Sequence, residues 1–362
     1  MSEIKLENLE KSFDDFVAVE KSDLTIQDNE FFVLLGPSGC GKTTTLRMIA
    51  GLELPTSGKI LLDNEDVTFL RASQRDIAFV FQLFALYPHM NVKKNLAFPL
   101  KMQGFKKSEI NKRIEEVSEL LRIQHLLNSK VSSLSGGDRQ RVALGRAIVR
   151  RPKAFLMDEP LGTLDAEFRE LMCLELRKLH NDIKATTVYV THDQLEAMSM
   201  GDRIAVMNKG KIIQFGTPKD IYLKPKTKFV GSFIGSPAMN FIPIHHSIEK
   251  NQNKILINGG NYDVPQSLGG TNSSINYLGI RPEKMFLNDK KGFPGVVFGS
   301  EYLGARKILT IKSEFGDFKV RVSNQVNAQI GSNVKINFEP KSAIVFDGTT
   351  DKAIESRYIK LN

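Results

Sequence analysis

A glycine-rich loop gives the clearest chemical signal in the sequence. The run Gly36-Pro-Ser-Gly-Cys-Gly-Lys-Thr43 follows an apolar segment at 31–35 and precedes a segment at 44–50 that suits a helix. Glycines let backbone N–H groups converge on phosphate oxygens, and a helix N-terminus adds positive potential. Lys42 is expected to reach the terminal phosphates and Thr43 to bind Mg²⁺. A plain glycine-rich turn is the alternative, but the flanking segments favour a phosphate-binding loop.

Two adjacent carboxylates end a second apolar segment. Ala154-Phe-Leu-Met leads directly into Asp158 and Glu159. Beside a phosphate-binding loop, this arrangement places Asp158 next to Mg²⁺ and Glu159 near the terminal phosphate, where it would serve as a general base or polarise the attacking water. Buried strands often end in acidic surface residues, so the pair alone discriminates weakly. Together with the loop, it predicts the second half of a nucleotide site.

A third pattern that could bind phosphate lies between these two. The string Leu134-Ser-Gly-Gly-Asp-Arg-Gln-Arg opens a predicted helix, so Ser135, Gly136 and Gly137 would offer backbone donors to an anion. A simple N-cap turn is the alternative. At this string the sequence resembles the ATP-binding cassette (ABC) ATPases, whose signature is a Leu-Ser-Gly-Gly-Gln turn. In that family the turn faces the ATP held by the opposing subunit.

The resemblance extends to single residues near the ends of predicted strands. It implies that Gln82 touches Mg²⁺ and the attacking water, that His192 senses the γ-phosphate, and that the Leu164-Asp165 turn belongs to the site. It also implies an aromatic ring against adenine, here Phe13, with Phe16 or a plain core role as alternatives. The predicted ATP-binding residues are Phe13, Gly36, Pro37, Ser38, Gly39, Cys40, Gly41, Lys42, Thr43, Thr44, Ser135, Gly136, Gly137 and Asp165. The predicted Mg²⁺ ligands are Thr43, Gln82 and Asp158, and the predicted catalytic residues are Glu159, His192 and Gln82.

The elements that must position these residues alternate along the first part of the chain. Candidate strands lie at 31–35, 77–81, 154–157, 187–191 and 203–207, and helical patterns separate them. This alternation predicts an α/β fold with a mostly parallel sheet covered by helices. A charged, helix-rich stretch at about 92–150 predicts a helical insertion. With the resemblance, residues 1–235 are expected to form a P-loop NTPase domain of the ABC type.

The pattern of apolar and polar residues changes after residue 235. Turn formers at 235–243 predict a linker, and later runs such as Lys307-Ile-Leu-Thr-Ile alternate apolar and polar residues. A small antiparallel β domain is therefore predicted for 236–362. The strings Gly279-Ile-Arg-Pro-Glu and Ala343-Ile-Val-Phe-Asp resemble the oligonucleotide-binding-like (OB-like, TOBE-type) regulatory domain of the maltose, multiple-sugar and glycerol-3-phosphate importer subfamily. The segments 81–90 and 233–241 also resemble that subfamily.

Composition excludes several classes of protein. The 362 residues are 41% hydrophobic and 25% charged, which excludes intrinsic disorder as the main state. The net charge of +9 suits an anionic ligand but is not clustered as in a nucleic-acid binder, so no direct contact with nucleic acid is expected. Two cysteines suit a reducing compartment. With no secretory signal at 1–11, and glycines and prolines breaking the uncharged stretch 229–248, any membrane role is expected to act through a partner.

The sequence therefore predicts an ATP-hydrolysing subunit that powers import of a carbohydrate, polyol or glycerophosphate-type solute. It is expected at the cytoplasmic face of the inner membrane. The resemblance implies a second ATPase subunit, two integral membrane permease subunits that contact Leu83 to Met90, and indirectly an external solute-binding protein. The alternatives are a regulatory scaffold whose C-terminal domain binds a cytoplasmic protein, and a soluble ABC ATPase outside transport.

Three departures from the family pattern affect the predicted subunit interface or the adenine contact. The signature turn ends in Asp138 where the family has glutamine, the turn before Asp165 reads Gly162-Thr163, and the adenine aromatic is a phenylalanine. An acidic side chain near the opposing phosphates calls for compensation on the facing subunit. The second ATPase subunit is thus either another copy of this chain or a paralogue.

Overall fold

The computed structural model of the protein describes residues 3–82, 85–162, 164–257, 259–288, 291–357 and 359–360. The chain folds into two units, Met1–Pro218 and Lys219–Asn362. Within the described part of the chain, no helix is long and apolar enough to cross a membrane.

In the part of the chain that the structure describes, the first unit contains ten strands and six helices. Its strands are β1 (Ile4–Phe13), β2 (Phe16–Ile26), β3 (Phe31–Leu35), β4 (Ser57–Leu62), β5 (Glu65–Asp66), β6 (Ile77–Val80), β7 (Ala154–Asp158), β8 (Thr186–Thr191), β9 (Arg203–Asn208) and β10 (Lys211–Gly216). Its helices are α1 (Lys42–Ala50), α2 (Val92–Met102), α3 (Lys107–Leu120), α4 (Gly136–Ile148), α5 (Ala166–Ile183) and α6 (Gln194–Met200).

A six-stranded sheet of order β10-β9-β3-β8-β7-β6 forms the centre of this unit. All of its neighbouring pairs are parallel except β9 with β10. Strand β3 is Phe-Phe-Val-Leu-Leu and every residue in it is buried, because helices or a second sheet cover both faces of such a strand. The carboxyl ends of β3, β7 and β8 meet at one edge, where ligands of open α/β sheets bind. The predicted α/β fold is confirmed.

A second sheet, of order β2-β1-β4-β5, is antiparallel and was not predicted from the sequence. Its apolar residues, including Ile4, Leu6 and Ile60, share one core with Phe32 and Leu34 of the parallel sheet. This sheet therefore covers part of the parallel sheet, and it carries the predicted adenine aromatic at the end of β1.

Helices α2, α3 and α4 fill the predicted helical insertion. Asn91 begins α2 by accepting a hydrogen bond from the backbone N–H of Lys94. Ser135 begins α4 in the same way, by accepting from the N–H of Asp138. The insertion therefore ends in a helix whose N-terminus is the signature turn.

The second unit is built mainly of antiparallel strands. Its helices are α7 (Pro218–Leu223), whose first residue ends the first unit, and α8 (Lys228–Phe233). Its strands are β11 (Asn240–Ile244), β12 (Lys254–Ile257), β13 (Gly260–Asp263), β14 (Asn276–Ile280), β15 (Met285–Leu287), β16 (Phe293–Leu303), β17 (Arg306–Ser313), β18 (Gly316–Ser323), β19 (Asn333–Phe338) and β20 (Ile344–Asp347). They form sheets of order β15-β19-β16-β17-β18, β11-β14-β20 and β12-β13. The predicted antiparallel β-rich C-terminal region is confirmed.

The segment predicted as a linker, 235–243, is partly a strand. Ile242 and Ile244 of β11 are buried against β14, so the turn-forming composition there gives way to tertiary packing. The domain boundary at residue 235 stays a prediction, although α8 and most of α7 lie in the second unit.

Arg281 explains why these two helices accompany the β strands. Its buried guanidinium donates hydrogen bonds to the carbonyls of Tyr222, Gly231 and Ile234, the first near the end of α7 and the other two around the end of α8. It also lies 4.1 Å from the centre of the Tyr222 ring. A buried arginine that caps helix carbonyls in this way ties both helices to β14.

We expect a fragment ending at Ser236 to fold and bind ATP, because every nucleotide motif precedes that residue. Its ATP dissociation constant should lie within about threefold of the full chain, as for an independently folding domain. Without Arg281, residues 219–236 should become sensitive to protease. Limited proteolysis and a nucleotide titration test this, with the full chain as control. A fragment that cannot bind ATP would contradict the proposed domain boundary.

Candidate nucleotide site

The glycine-rich loop connects β3 to α1, as predicted. Gly39 and Gly41 have φ of +77° and +102°, a region that favours glycine, and no side chain caps the start of α1. Nζ of Lys42 donates hydrogen bonds to the carbonyls of Gly36 and Pro37, at 2.8 and 2.9 Å. The loop therefore holds an ammonium group and uncapped backbone N–H groups together, as an anion site requires.

Strand β2 supports the loop from one side. A side chain at position 41 would begin 2.5 Å from the carbonyl oxygen of Ala18, so only glycine fits there. Cys40 is buried, and this burial raises the pKa of its thiol. Ser38 and Gly39 are exposed, and Thr44 is half-buried. The loop therefore presents its tip to solvent on a rigid base.

Asp158 ends β7 directly beside the loop. The hydroxyl of Thr43 donates a hydrogen bond of 2.8 Å to its carboxylate. Burial raises the pKa of Asp158 above its ordinary value, although the bond from Thr43 acts against this. The carboxylate and the hydroxyl are two oxygen ligands, and the hydroxyl does not neutralise the negative charge of the carboxylate. Such a pair fits a hard divalent cation.

Glu159 and His192 form a pair at the same sheet edge. Nδ1 of His192 lies 3.2 Å from Oε2 of Glu159. Glu159 has φ of +45°, which is unusual for a residue other than glycine. Its N–H donates to the carbonyl of Val190 on β8, and its carbonyl accepts from Gly162. The backbone on both sides therefore holds this strained residue in place, as is common at functional sites.

The remaining predicted residues of this half of the site are exposed. Gln82 follows β6, and its side-chain nitrogen would lie 3.9 Å from a Cβ added at Gly162. Phe13 is 43% exposed and Phe16 63% exposed, so a core role for either ring is wrong. Lys11 Nζ lies 4.5 Å from the centre of the Phe13 ring. Stacking of Phe13 on adenine stays a prediction.

The signature turn begins α4 and lies against a different part of the chain. The Ser135 hydroxyl donates a 2.7 Å hydrogen bond to the carboxylate of Asp138. Gly137 packs closely on the ring of Phe168, so a Cβ there would begin 2.2 Å from Cε1 of that ring and would force it to move. Asp165 begins α5 by accepting a hydrogen bond from the N–H of Phe168. Ser135–Gly137 and Asp165 therefore lie side by side.

The structure thus brings the predicted residues together in two groups. The loop at 36–43, Asp158, Glu159, His192 and Gln82 form the first, and the signature turn with Asp165 forms the second. Among the described residues, no hydrogen bond or ion pair joins the two groups. The part of the chain that the structure describes also contains no cluster of three His, Cys, Asp or Glu side chains that could hold a metal.

The sequence analysis missed Arg169, which contacts residues beside both groups. It stands near the N-terminus of α5, where the helix dipole disfavours a cation. An arginine four residues after a capping Asp165 is therefore a signal that acidic partners lie nearby.

A phosphate-binding loop between a parallel strand and a helix, with an aspartate at the end of a neighbouring strand, defines a P-loop nucleotide-binding protein. Residues 19–162 match the ABC transporter family, and residues 278–346 match the TOBE domain. The chain is 45% identical to the trehalose/maltose import ATP-binding protein MalK of Thermococcus litoralis, over 98% of this chain and 100% of that protein. It is 44% identical to the sn-glycerol-3-phosphate import ATP-binding protein UgpC of Ruegeria sp., over 98% and 99%. The chain therefore belongs to the ABC transporter family, as an ATP-binding subunit with ATPase activity.

A solved structure agrees with this assignment. A dimeric bacterial ABC transporter cassette, MJ0796, matches with a TM-score of 0.54 and 33% identity, covering 59% of this chain and 98% of the cassette.

Proposed function

We propose that the chain is the ATP-hydrolysing subunit of a membrane importer for a carbohydrate, polyol or glycerophosphate-type solute. The observation that carries this proposal is the 44–45% identity to import subunits over 98% of the chain, which includes the second unit. The site at the sheet edge supports the hydrolytic half of the proposal. The subunit would act at the cytoplasmic face of the inner membrane, bound through the permease subunits.

In the proposed reaction, each group at the sheet edge has one task. Lys42 and the N–H groups of the loop bind the phosphates, and Phe13 stacks on adenine. Glu159 accepts a proton from the attacking water, which Gln82 orients. His192 contacts the γ-phosphate and fixes the Glu159 carboxylate from its distance of 3.2 Å. In this proposal the general base, Glu159, lies between the end of strand β7 and the γ-phosphate.

Thr43, Asp158 and Gln82 would hold a Mg²⁺ ion, since all three offer oxygen donors of the kind that this ion prefers. When bound, Mg²⁺ supplies charge neutralisation at the phosphate oxygens. The supporting observation is the buried Asp158 carboxylate, to which the neutral Thr43 hydroxyl is the one side-chain donor among the described residues.

We expect Asp158→Asn to remove the effect of Mg²⁺ on ATP binding without unfolding the protein. Asparagine retains an acceptor for the Thr43 hydroxyl and avoids burying a charge, so the melting temperature should not fall. ATP titrations with Mg²⁺ and with EDTA measure the effect, which should be about tenfold or more in the parent protein and absent in the variant. A retained Mg²⁺ effect would contradict the proposed ligand.

Ser135, Gly136, Gly137 and Asp165 would serve the nucleotide of a second ATP-binding subunit. The support is that no hydrogen bond or ion pair among the described residues joins them to the loop at 36–43, and that the solved cassette is dimeric. Arg141 lies 3.8 Å from Asp138, so the acidic residue has a cation from its own chain. A second copy of this chain therefore suits the interface, with a paralogue as the alternative. Mass spectrometry of the native transporter distinguishes the two, since a second ATPase sequence would exclude the homodimer.

The permease subunits would bind at 83–90. Leu83 and Phe84 lie outside the described residues. Of the rest, the Ala85 carbonyl accepts a hydrogen bond from Arg146 of α4, and the Tyr87 ring packs on Phe98 of α2 at 4.7 Å. Ala85 and Tyr87 are therefore held by the helical insertion, which supports a role in transmitting motion to the membrane.

Reconstitution tests the whole proposal. The chain, its permease subunits and its external solute-binding protein are placed in liposomes, and ATP turnover is measured with maltose, trehalose, glycerol, sn-glycerol-3-phosphate and glycerophosphodiesters. We expect one class of solute to raise turnover. A chain that hydrolyses ATP but never co-purifies with membrane subunits would favour a soluble ABC ATPase. A chain without ATPase activity that captures a cytoplasmic protein would favour a regulatory scaffold.

A further inference from the structure

Arg169 joins two loops through one guanidinium group. Its Nη2 donates a 2.8 Å hydrogen bond to the carbonyl of Leu164, and its Nη1 lies 3.0 Å from the carboxylate of Asp193. A third group, Glu196, lies 3.7 Å from Nε. A planar guanidinium with a fixed fork of donors fixes the relative positions of the groups that it bridges.

The two loops belong to the two different groups of site residues. Leu164 precedes Asp165 and its side chain lies beside Gly136 of the signature turn. Asp193 directly follows His192 and begins α6 by accepting hydrogen bonds from the N–H groups of Leu195 and Glu196. A shift of the turn at Leu164 would therefore be transmitted through Arg169 to the residue next to His192.

The base under this bridge is rigid. Glu196 is buried and accepts hydrogen bonds from the hydroxyls of Tyr189 and Thr191, at 2.8 and 2.7 Å. Thr191 in turn accepts a hydrogen bond from the N–H of Asp193. These bonds fix helix α6 to strand β8. The carboxylates of Asp193 and Glu196 that face Arg169 are therefore held in place next to His192.

We propose that Arg169 is a positioning residue that holds His192 in its hydrolytic position and couples it to the turn at Leu164, which lies beside the half-site for the opposing nucleotide. The inference rests on the proposed function of His192 and of the signature turn. Arg169 itself contacts neither Glu159 nor the loop at 36–43 in any described hydrogen bond or ion pair. Its effect on hydrolysis therefore passes through Asp193.

The main test is Arg169→Met in the full chain. We expect kcat for ATP hydrolysis to fall about 10- to 100-fold, the effect of misplacing a reacting group by about an ångström. The dissociation constant for ATP should stay within about threefold, since the loop that binds the phosphates is untouched. Steady-state phosphate release measures kcat, and a nucleotide titration measures the dissociation constant for ATP.

Arg177→Met is a matched control on the same helix. Arg177 also bridges a carbonyl and a carboxylate, Met200 and Asp202, at 2.9 and 2.7 Å. Its side chain is 31% exposed and that of Arg169 is 28% exposed, so both variants lose similar packing. Met200 lies at the far end of α6 from His192. We expect Arg177→Met to lower the melting temperature as Arg169→Met does, but to leave kcat within about twofold. Equal losses of kcat in the two variants would overturn the proposal.

A double-mutant cycle with His192→Ala separates this inference from the proposed function. If Arg169 acts through His192, adding Arg169→Met to His192→Ala should lower kcat no further, because coupled residues are not additive. Independent, multiplicative losses overturn the inference and leave the role of His192 intact. Full activity of His192→Ala overturns both. Should Arg169→Met not fold, Asp193→Asn tests the same bond, since asparagine retains the helix cap and loses the charge. Unchanged kcat in that variant also overturns the inference.

Discussion

Glu159→Gln is expected to lower steady-state ATP hydrolysis by about 10²- to 10⁴-fold, the range for loss of a general base. ATP binding should stay within about threefold of the parent protein, because glutamine keeps the size of the side chain and its hydrogen bonding. Steady-state phosphate release and titration with a fluorescent ATP analogue measure the two effects.

The geometry of the site gives the reason for this large effect. Hydrogen bonds to Val190 and Gly162 hold the Glu159 backbone at φ of +45°. A neighbouring side chain therefore cannot easily take the position of the Glu159 carboxylate. Asp158, the adjacent acid, is engaged by Thr43 at 2.8 Å. The neighbouring carboxylate of Asp158 is therefore not expected to replace Glu159 as the proton acceptor. The variant should accumulate as an ATP-bound dimer, visible by size-exclusion chromatography with MgATP.

Glu170→Gln provides the matched control for this variant. Glu170 is an exposed acid of α5, and its neutralisation changes the net charge of the chain by the same amount. Hydrolysis should stay within about twofold of the parent, as for most surface substitutions. Near-normal turnover in Glu159→Gln would contradict the assignment of Glu159 as the general base.

The residues predicted to carry the chemistry could be picked out from the sequence because they occur in short contiguous strings with local structural meaning. Strand β3 was predicted at 31–35 and forms at Phe31–Leu35, since a fully buried parallel strand is a continuous apolar run. The loop that follows needs glycine at Gly39 and Gly41 for backbone reasons that act locally. The order of the motifs then identified the family.

The N-terminal sheet could not be predicted in the same way, because its strands do not alternate regularly. In β1 the buried residues Leu6 and Leu9 are three apart, and the pairing with β2 shifts register between them. A bulge of this kind changes which side chains face the core, so the period of two is lost. Strand β11 was missed for another reason. Its Pro243 and the turn formers before it indicate a linker locally, and only pairing with β14 makes it a strand.

Pairings between distant residues were also beyond the sequence. The approach of His192 to Glu159 depends on β7 and β8 being neighbours, which the family resemblance implied but no local pattern required. The bridge from Arg169 to Asp193 spans two elements, α5 and the start of α6, and no motif contains both residues. Such contacts follow from the topology of the sheet rather than from spacing along the chain.

Lys42→Ala is expected to weaken ATP binding first and hydrolysis only as a consequence. The Lys42 ammonium is buried in the loop and donates to the carbonyls of Gly36 and Pro37, so it is held within the loop that is proposed to bind the phosphates. Charge-assisted hydrogen bonds contribute about 1.5–3 kcal/mol each. Losing one or two of them should raise the ATP dissociation constant about 10- to 100-fold or more, since 1.4 kcal/mol corresponds to tenfold.

The contrast with Glu159→Gln is what makes this second variant informative. One removes a proton acceptor and should leave affinity intact, whereas the other removes a phosphate contact and should leave the general base intact. Lys21→Ala, at an exposed lysine of β2, controls for the loss of one positive charge from the chain. Because salt screens exposed charges more than buried ones, the effect of Lys42→Ala should persist at high ionic strength. Tight ATP binding by Lys42→Ala would mean that the loop at 36–43 is not where the phosphates bind.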